Sequence, residues 1–133
     1  MEIGTVEAWT ANETGQLVKR WSKGYPKEAL CIHYDKASNR VLVGLDDGVI
    51  DVIQATDNGF EDVVCVKAHK ERVVGLAYDA LNNVVYSVSY DKAFRVSHGS
   101  SLAMIVSVPH KEAIYSMIRD TINKRIFFGT KSG

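Results

Sequence analysis

Short apolar runs closed by turn-forming residues set the pattern of this chain. Arg40-Val41-Leu42-Val43-Gly44-Leu45 runs into Asp46-Asp47-Gly48, and Val84-Val85-Tyr86-Ser87-Val88-Ser89 into Tyr90-Asp91-Lys92. Arg125-Ile126-Phe127-Phe128-Gly129-Thr130 runs likewise into Lys131-Ser132-Gly133. β-branched and aromatic residues punctuated by Asp, Gly and Lys predict strands joined by tight hairpins. Val41-Leu42-Val43 and Ile126-Phe127-Phe128 are apolar at successive positions, which predicts sheets covered on both faces.

The pattern repeats. Residues 68–79 align without gaps on residues 109–120, 41 positions later, and on residues 24–35, 44 positions earlier. Apolar positions coincide, and each unit ends in Asp: Asp35, Asp79 and Asp120. After the hairpins come third runs, Val49-Ile50-Asp51-Val52-Ile53 and Ala93-Phe94-Arg95-Val96-Ser97, with Thr5-Val6-Glu7-Ala8-Trp9 at the same phase near the start. Fourth runs are Leu17-Val18-Lys19-Arg20-Trp21, Val63-Val64-Cys65-Val66 and Met104-Ile105-Val106-Ser107-Val108. Four short strands per unit of this length is the period of a β-propeller blade, and the runs are too short and too β-branched for helical repeats. The fold expected is all-β, a propeller segment of about three four-stranded antiparallel blades that leaves the ring incomplete. Its register assigns residues 4–23 to the third and fourth strands of a first blade, 24–67 and 68–108 to two blades, and 109–133 to the first and second strands of a further one.

These residues resemble the WD-repeat family over almost the whole chain. The family's Gly-His signature is present as Ala68-His69 and Pro109-His110 and degenerates to Gly24-Tyr25. Its Trp-Asp survives as Trp9-Thr10 and becomes Ile53-Gln54 and Ser97-His98; its hairpin Asp is kept as Asp47 and Asp91 and replaced by Ser132. The resemblance implies a buried structural hydrogen-bond network of His69, Ser87 and Asp91, with Asp47 as its counterpart in the preceding unit, where Tyr25 replaces the His. A narrower resemblance, through Arg40 to Gly48, Val66 to Val73 and Lys124 to Gly133, is to the propellers of WD-repeat and FYVE-domain proteins. It implies an endosome-linked, phosphoinositide-associated scaffold as an alternative function. The cysteine framework of the zinc-binding FYVE module is absent from this chain, so neither zinc nor direct lipid binding carries over.

Composition adds bounds. With 133 residues, 46% hydrophobic and 24% charged, the chain has the balance of a folded domain. Sixteen basic and sixteen acidic residues cancel, so no global field draws it to nucleic acid or to an anionic membrane, and neither partner is expected. Lys19, Arg20, Trp21 and Lys23 form a small basic and aromatic cluster, read as strand alternation with solvated charges rather than a phosphate site. Met1-Glu2-Ile3-Gly4 has no signal-peptide pattern, and Asn12-Glu13-Thr14 reads as a turn. Cys31 and Cys65 lack metal-ligand spacing and are expected to be reduced core thiols of a cytoplasmic protein, with endosome association only through a larger protein.

No catalytic residue, cofactor or metal is expected. Asp46, Asp47 and Asp51 fall in a hairpin and a strand rather than facing one another as a catalytic pair. His33, His69, His98 and His110 lack metal-binding spacings, and no phosphate loop or nucleophile elbow occurs. The function expected is a non-catalytic scaffold that binds protein or peptide partners through one loop rim carrying Tyr25, Lys27, Asp46, Lys70, Arg72, Tyr90, Lys111 and Glu112. An enzyme or small-molecule binder using a propeller channel is the competing class; it needs convergent polar groups at the inner strand ends, which the sequence does not identify. The open register further implies strand edges and apolar faces that either further blades of a longer chain or a second copy would cover.

Overall fold

The structure, a computed structural model, describes residues 2–130. Met1 and residues 131–133 lie outside them, so the closing turn Lys131-Ser132-Gly133 and the replaced hairpin Asp at Ser132 fall outside the described residues. Twelve strands follow one another with no helix among the described residues: β1 (Gly4–Ala11), β2 (Leu17–Tyr25), β3 (Ala29–Asp35), β4 (Arg40–Leu45), β5 (Val49–Ala55) and β6 (Phe60–Lys67) come first. β7 (Val73–Asp79), β8 (Val84–Ser89), β9 (Ala93–His98), β10 (Met104–Pro109), β11 (Ile114–Asp120) and β12 (Arg125–Thr130) complete the order. They form four antiparallel sheets in which sequence neighbours pair: β1-β2, β3-β4-β5-β6, β7-β8-β9-β10 and β11-β12.

The Asp that closes each repeated unit has a local cause. Asp79 Oδ1 accepts from the backbone N–H of Leu81 and Asn82 at 3.1 and 3.2 Å, and Asp120 Oδ1 does the same for Ile122 and Asn123. Asp35 accepts from Ser38 N–H at 2.9 Å. Each carboxylate folds the turn between an inner strand and the next, and the turn ends in the left-handed region at Asn39, Asn83 and Lys124, with φ of 57°, 51° and 56°. The first strand of each unit also carries a bulge at the same phase, between Ala29 and Cys31, Val73 and Gly75, and Ile114 and Ser116. Bulges sharpen the twist of a strand, and this recurrent one sits where the inner strands meet: β3 packs on β7, and β7 on β11.

Two apolar clusters hold the sheets together. Leu42, Ile50 and Val52 of one complete sheet pack with Leu76, Tyr78 and Val85 of the next. Val6 and Tyr25 of the first pair pack with Val41, Val43, Leu45 and Ile53, with Trp21 set against Phe60 at 5.1 Å between ring centroids. β4 is therefore buried on both faces, as its sequence predicts. The expectation fails for the matching run of β12: Phe127 and Phe128 point to opposite faces and both are exposed, Phe128 although its ring meets Phe94 of the neighbouring sheet at 5.2 Å between centroids. Cys65 likewise departs from the core reading, because β6 is the outermost strand of its sheet and leaves the side chain exposed. Cys31 is half-buried; burial pushes its pKa up to about 12, and its thiol donates to the Val73 carbonyl at 3.4 Å.

Candidate partner-binding rim

His69 lies in the loop between β6 and β7 and is buried. Its Nδ1 stands 2.9 Å from Asp91 Oδ2, and its Nε2 2.8 Å from Ser87 Oγ. An ionised carboxylate only accepts, so Nδ1–H donates to Asp91 and the Ser87 hydroxyl donates to Nε2. Burial lowers the imidazole pKa below its ordinary 6.5 against the opposing pull of Asp91, which keeps the ring neutral near pH 7. Asp91 also accepts the backbone N–H of Lys70 at 3.0 Å and of Ala93 at 2.9 Å. One side chain thus ties the loop before β7 to β8 and to the β8–β9 hairpin. The order Ser87, His69, Asp91 is that of a hydrolytic triad, but Ser87 has no exposed surface for a substrate to reach.

The preceding sheet solves its polar interior differently. Asp47 is not among the groups bonded to His69; its Oδ1 accepts the Val49 N–H at 3.3 Å in the β4–β5 turn. Tyr25, expected on the exposed rim, is instead buried, and its O–H donates to Asp51 Oδ2 at 2.7 Å. The cause is Asp51, a carboxylate in the middle of β5 that must be paired to be buried. Lys23 Nζ reaches the same oxygen at 2.6 Å and Asp62 Oδ1 at 2.6 Å, which binds β2 to β5 and β6. Burial alone would lower the Lys23 pKa, but the hydrogen bonds to Asp51 and Asp62 outweigh it and raise it. Burial, then Asp51, holds the Tyr25 hydroxyl protonated well above the phenol range. In the basic and aromatic cluster on β2, Lys19 pairs with Glu7 at 3.2 Å and Arg20 donates to Thr10 at 2.8 Å.

The repeat places Arg95 at the phase of Asp51. Its guanidinium donates to the carbonyls of Ala68 and Leu102, each at 2.7 Å, and to Ser97 Oγ at 2.8 Å. Ser97 stands where the family resemblance puts Trp, and its hydroxyl accepts from Arg95.

Loops before the inner strands and hairpins after the second strands meet along one rim. Gly48 O accepts from the N–H of Ala68 and His69 at 3.0 and 3.1 Å, and Lys92 O accepts from His110 N–H at 2.7 Å. Tyr90 N–H donates to Arg72 O at 3.2 Å, and Asp46 N–H to Glu28 O at 2.9 Å. The approach at Gly48 is close enough that a Cβ would strike the His69 carbonyl, and φ is 91° there, so glycine is required twice over.

On this frame Arg72 Nε lies 3.1 Å from Asp46 Oδ1, and the guanidinium covers the Tyr90 ring at 5.1 Å. Tyr90 in turn meets Tyr115 at 4.7 Å between centroids. The Arg72–Asp46 pair is at ion-pair distance but out of line for a hydrogen bond, which leaves Asp46 Oδ1 without a donor. Arg72 and Tyr115 are exposed, and Asp46 and Tyr90 half-buried. Lys27, Lys70 and Lys111 are exposed on the same loops; Glu112 is half-buried, its N–H donating to His110 Nδ1 at 3.2 Å. Sequence reasoning missed Tyr115 and, for Asp51, which it read only as a strand position, the buried pairing with Tyr25 and Lys23. Tyr115 aligns with Leu30 and Val74, so the repeat marks it as an apolar strand position and conceals its place beside the rim.

Among the described residues no helix is long and apolar enough to cross a membrane. No protein-family model matches the chain. It is 25% identical over 135 aligned residues to WD repeat and FYVE domain-containing protein 2 of Homo sapiens and, to the same degree, of Mus musculus. Each alignment covers 99% of this chain and 34% of the relative, so the chain spans about a third of the length of the curated proteins it matches. Among solved structures it superposes on the computationally designed Ika4 protein with a TM-score of 0.74 at 21% identity, over 98% of this chain and 76% of that one. On the computationally designed Ika8 protein the TM-score is 0.69 at 19% identity, over 100% and 42% of the two chains. These structures share the fold alone. Repeat phase, stacked four-stranded sheets and sequence likeness agree: the chain resembles the WD-repeat proteins and is built of β-propeller blades in an incomplete ring.

Proposed function

We propose that this chain is a non-catalytic scaffold that holds protein or peptide partners on the rim formed by loops 26–28, 46–48, 68–72, 90–92 and 110–113. The observation that supports it is the continuous array Asp46–Arg72–Tyr90–Tyr115, which crosses from one sheet to the next and the one after it. Arg and Tyr are the side chains that anchor interfaces, and stacking holds these in place before a partner arrives, which lowers the ordering cost of binding. The misaligned Arg72–Asp46 pair loses little when either group turns to a partner, because an exposed ion pair contributes under about 1 kcal/mol. Lys27, Lys70, Lys111 and Glu112 form a charged margin around this centre. The free thiols of Cys31 and Cys65 suit a reducing compartment, and we place the chain in the cytoplasm.

Quantitative affinity capture followed by mass spectrometry, with wild type, Arg72→Ala and Tyr90→Ala as baits, tests this reading. Proteins captured by wild type are expected to fall roughly tenfold with each rim variant, as for central anchors of an interface, and to stay with Lys19→Ala on β2. Capture that ignores both rim substitutions contradicts it.

A further inference from the structure

Two junctions between neighbouring sheets treat one repeat position in opposite ways. Where the β1-β2 pair meets the sheet of β3 to β6, Lys23 pairs with Asp51 of β5 and Asp62 of β6, at 2.6 Å each. The repeat carries Lys23 to Lys67 at the end of β6, and Asp51 to Arg95 of β9. Asp62 stands opposite Ile53 in its sheet, and Met104 stands opposite Ser97 at the same phase of the next. The second junction therefore keeps the lysine, loses both of its carboxylates and gains a guanidinium.

A cavity of about 440 Å³ marks the place, lined by Lys67, Lys70, Asp91, Arg95, Met104 and Ser107. Phe94, next to Arg95 on β9, points to the other face and meets Phe128 of the following sheet, so Arg95 faces the sheet of β3 to β6. The cavity is thus internal to a junction of two sheets that each have all four strands.

Its charges are unbalanced. Arg95 is half-buried, and burial lowers its pKa against the opposing pull of Asp91. Carbonyl and hydroxyl oxygens take three of its five N–H donors, which leaves one N–H on each Nη, and no carboxylate lies at ion-pair distance from it among the described residues. The Lys67 and Lys70 ammonium groups have no partner among the described residues. Asp91 is engaged by His69 Nδ1–H and by the backbone N–H groups of Lys70 and Ala93. With His69 neutral, three cations against one carboxylate leave two positive charges uncompensated. Ser107 stands across the β9–β10 pair from Arg95, with an exposed hydroxyl to donate.

We propose that this cavity binds a phosphoryl dianion, as the free ion or as a small monoester, with Arg95, Lys67 and Lys70 meeting its charge and Ser107 donating to a phosphoryl oxygen. Charge-assisted donors of this kind suit a dianion far better than a single carboxylate, and the volume lies within the roughly 300–1,000 Å³ of small-ligand sites. The site does not require the rim to hold a partner, and it is tested without one.

A two-dimensional ¹H–¹⁵N NMR titration of the 133-residue chain at pH 7.5 and constant ionic strength tests this with inorganic phosphate, with phosphoserine and, as a monoanion, with acetate. Saturable shifts are expected at the amides of residues 67–70 and Ala93 and at Arg95 Nε–H, with the phosphates bound roughly tenfold or more tightly than acetate. The tighter of the two phosphates names the source, free ion or ester. Lys67→Gln combined with Lys70→Gln changes exposed side chains and is expected to weaken binding roughly tenfold, while Lys19→Gln on β2 leaves it unchanged. Arg95→Asp puts a carboxylate beside Lys67, as Asp51 stands beside Lys23, and is expected to abolish binding; where that form does not fold, the double lysine variant decides. The absence of saturable shifts with both phosphates overturns the proposal. So do shifts that acetate reproduces with equal affinity, or an affinity that the double lysine variant leaves unchanged.

Discussion

His69 shows how one residue type can be read from sequence while its energetics need the structure. The repeat aligns it with Tyr25 and His110, but only the geometry shows it donating to Asp91 and accepting from Ser87 with its ring buried. Its pKa is lowered in the folded chain, so the unfolded chain binds the proton first as pH falls. The stability it contributes is complete above about 6.5 and is lost as pH falls through the lower folded value. His33, also lowered by burial and partly exposed, adds a smaller share of the same sign. Thermal midpoints are therefore expected to hold steady from pH 8 to 7 and to drop from 6.5 to 5. His69→Gln, which strands Ser87 and Asp91, is expected to cost about 2 kcal/mol at pH 7.5 and to remove most of that slope. A variant that keeps the full slope contradicts the assignment. Gly48→Ala is expected to cost more than about 1 kcal/mol in denaturant unfolding, because both its φ and the His69 carbonyl oppose a Cβ.

At the level of the strand and sheet, the turn residues made the elements legible. Asp35, Asp79 and Asp120 stand at the end of each aligned unit, and each folds the hairpin that follows. The polar interiors were less legible for a specific reason. Asp51 and Arg95 share one repeat phase with opposite charges, so aligning the units averages out the signal that either is buried for a purpose. Tyr25 aligns with His69 and turns inward like it, but to a carboxylate on β5 rather than one in the hairpin. The buried Lys23–Asp51 pair predicts a non-additive series. Asp51→Asn leaves Lys23 short of a partner and is expected to cost about 3 kcal/mol, Tyr25→Phe about 1 kcal/mol, and Lys23→Met with Asp51→Leu less than Asp51→Asn alone. A double variant less stable than Asp51→Asn would show that the ion pair itself, rather than the cost of breaking it, stabilises the sheet.

For the whole molecule, sheet stacking gives two kinds of surface. The rim gathers loops from successive sheets around Arg72 and Tyr90, while the flanks present apolar strands whose equivalents inside the chain are buried. The number of strands among the described residues was legible from the repeat. The exposure of the flanks was not, because Ile32, Tyr34 and Phe127 look like ordinary core positions until the structure shows them exposed. Hydrogen–deuterium exchange resolved to single peptides distinguishes the stacked interior from the rim in one measurement. The amides of β4 and β8, each paired with a strand on both sides, are expected to exchange slowest, while loops 68–72 and 110–113 exchange fast. Exchange along β4 and β8 as fast as in the rim loops would contradict the stacking of covered inner sheets behind an open rim.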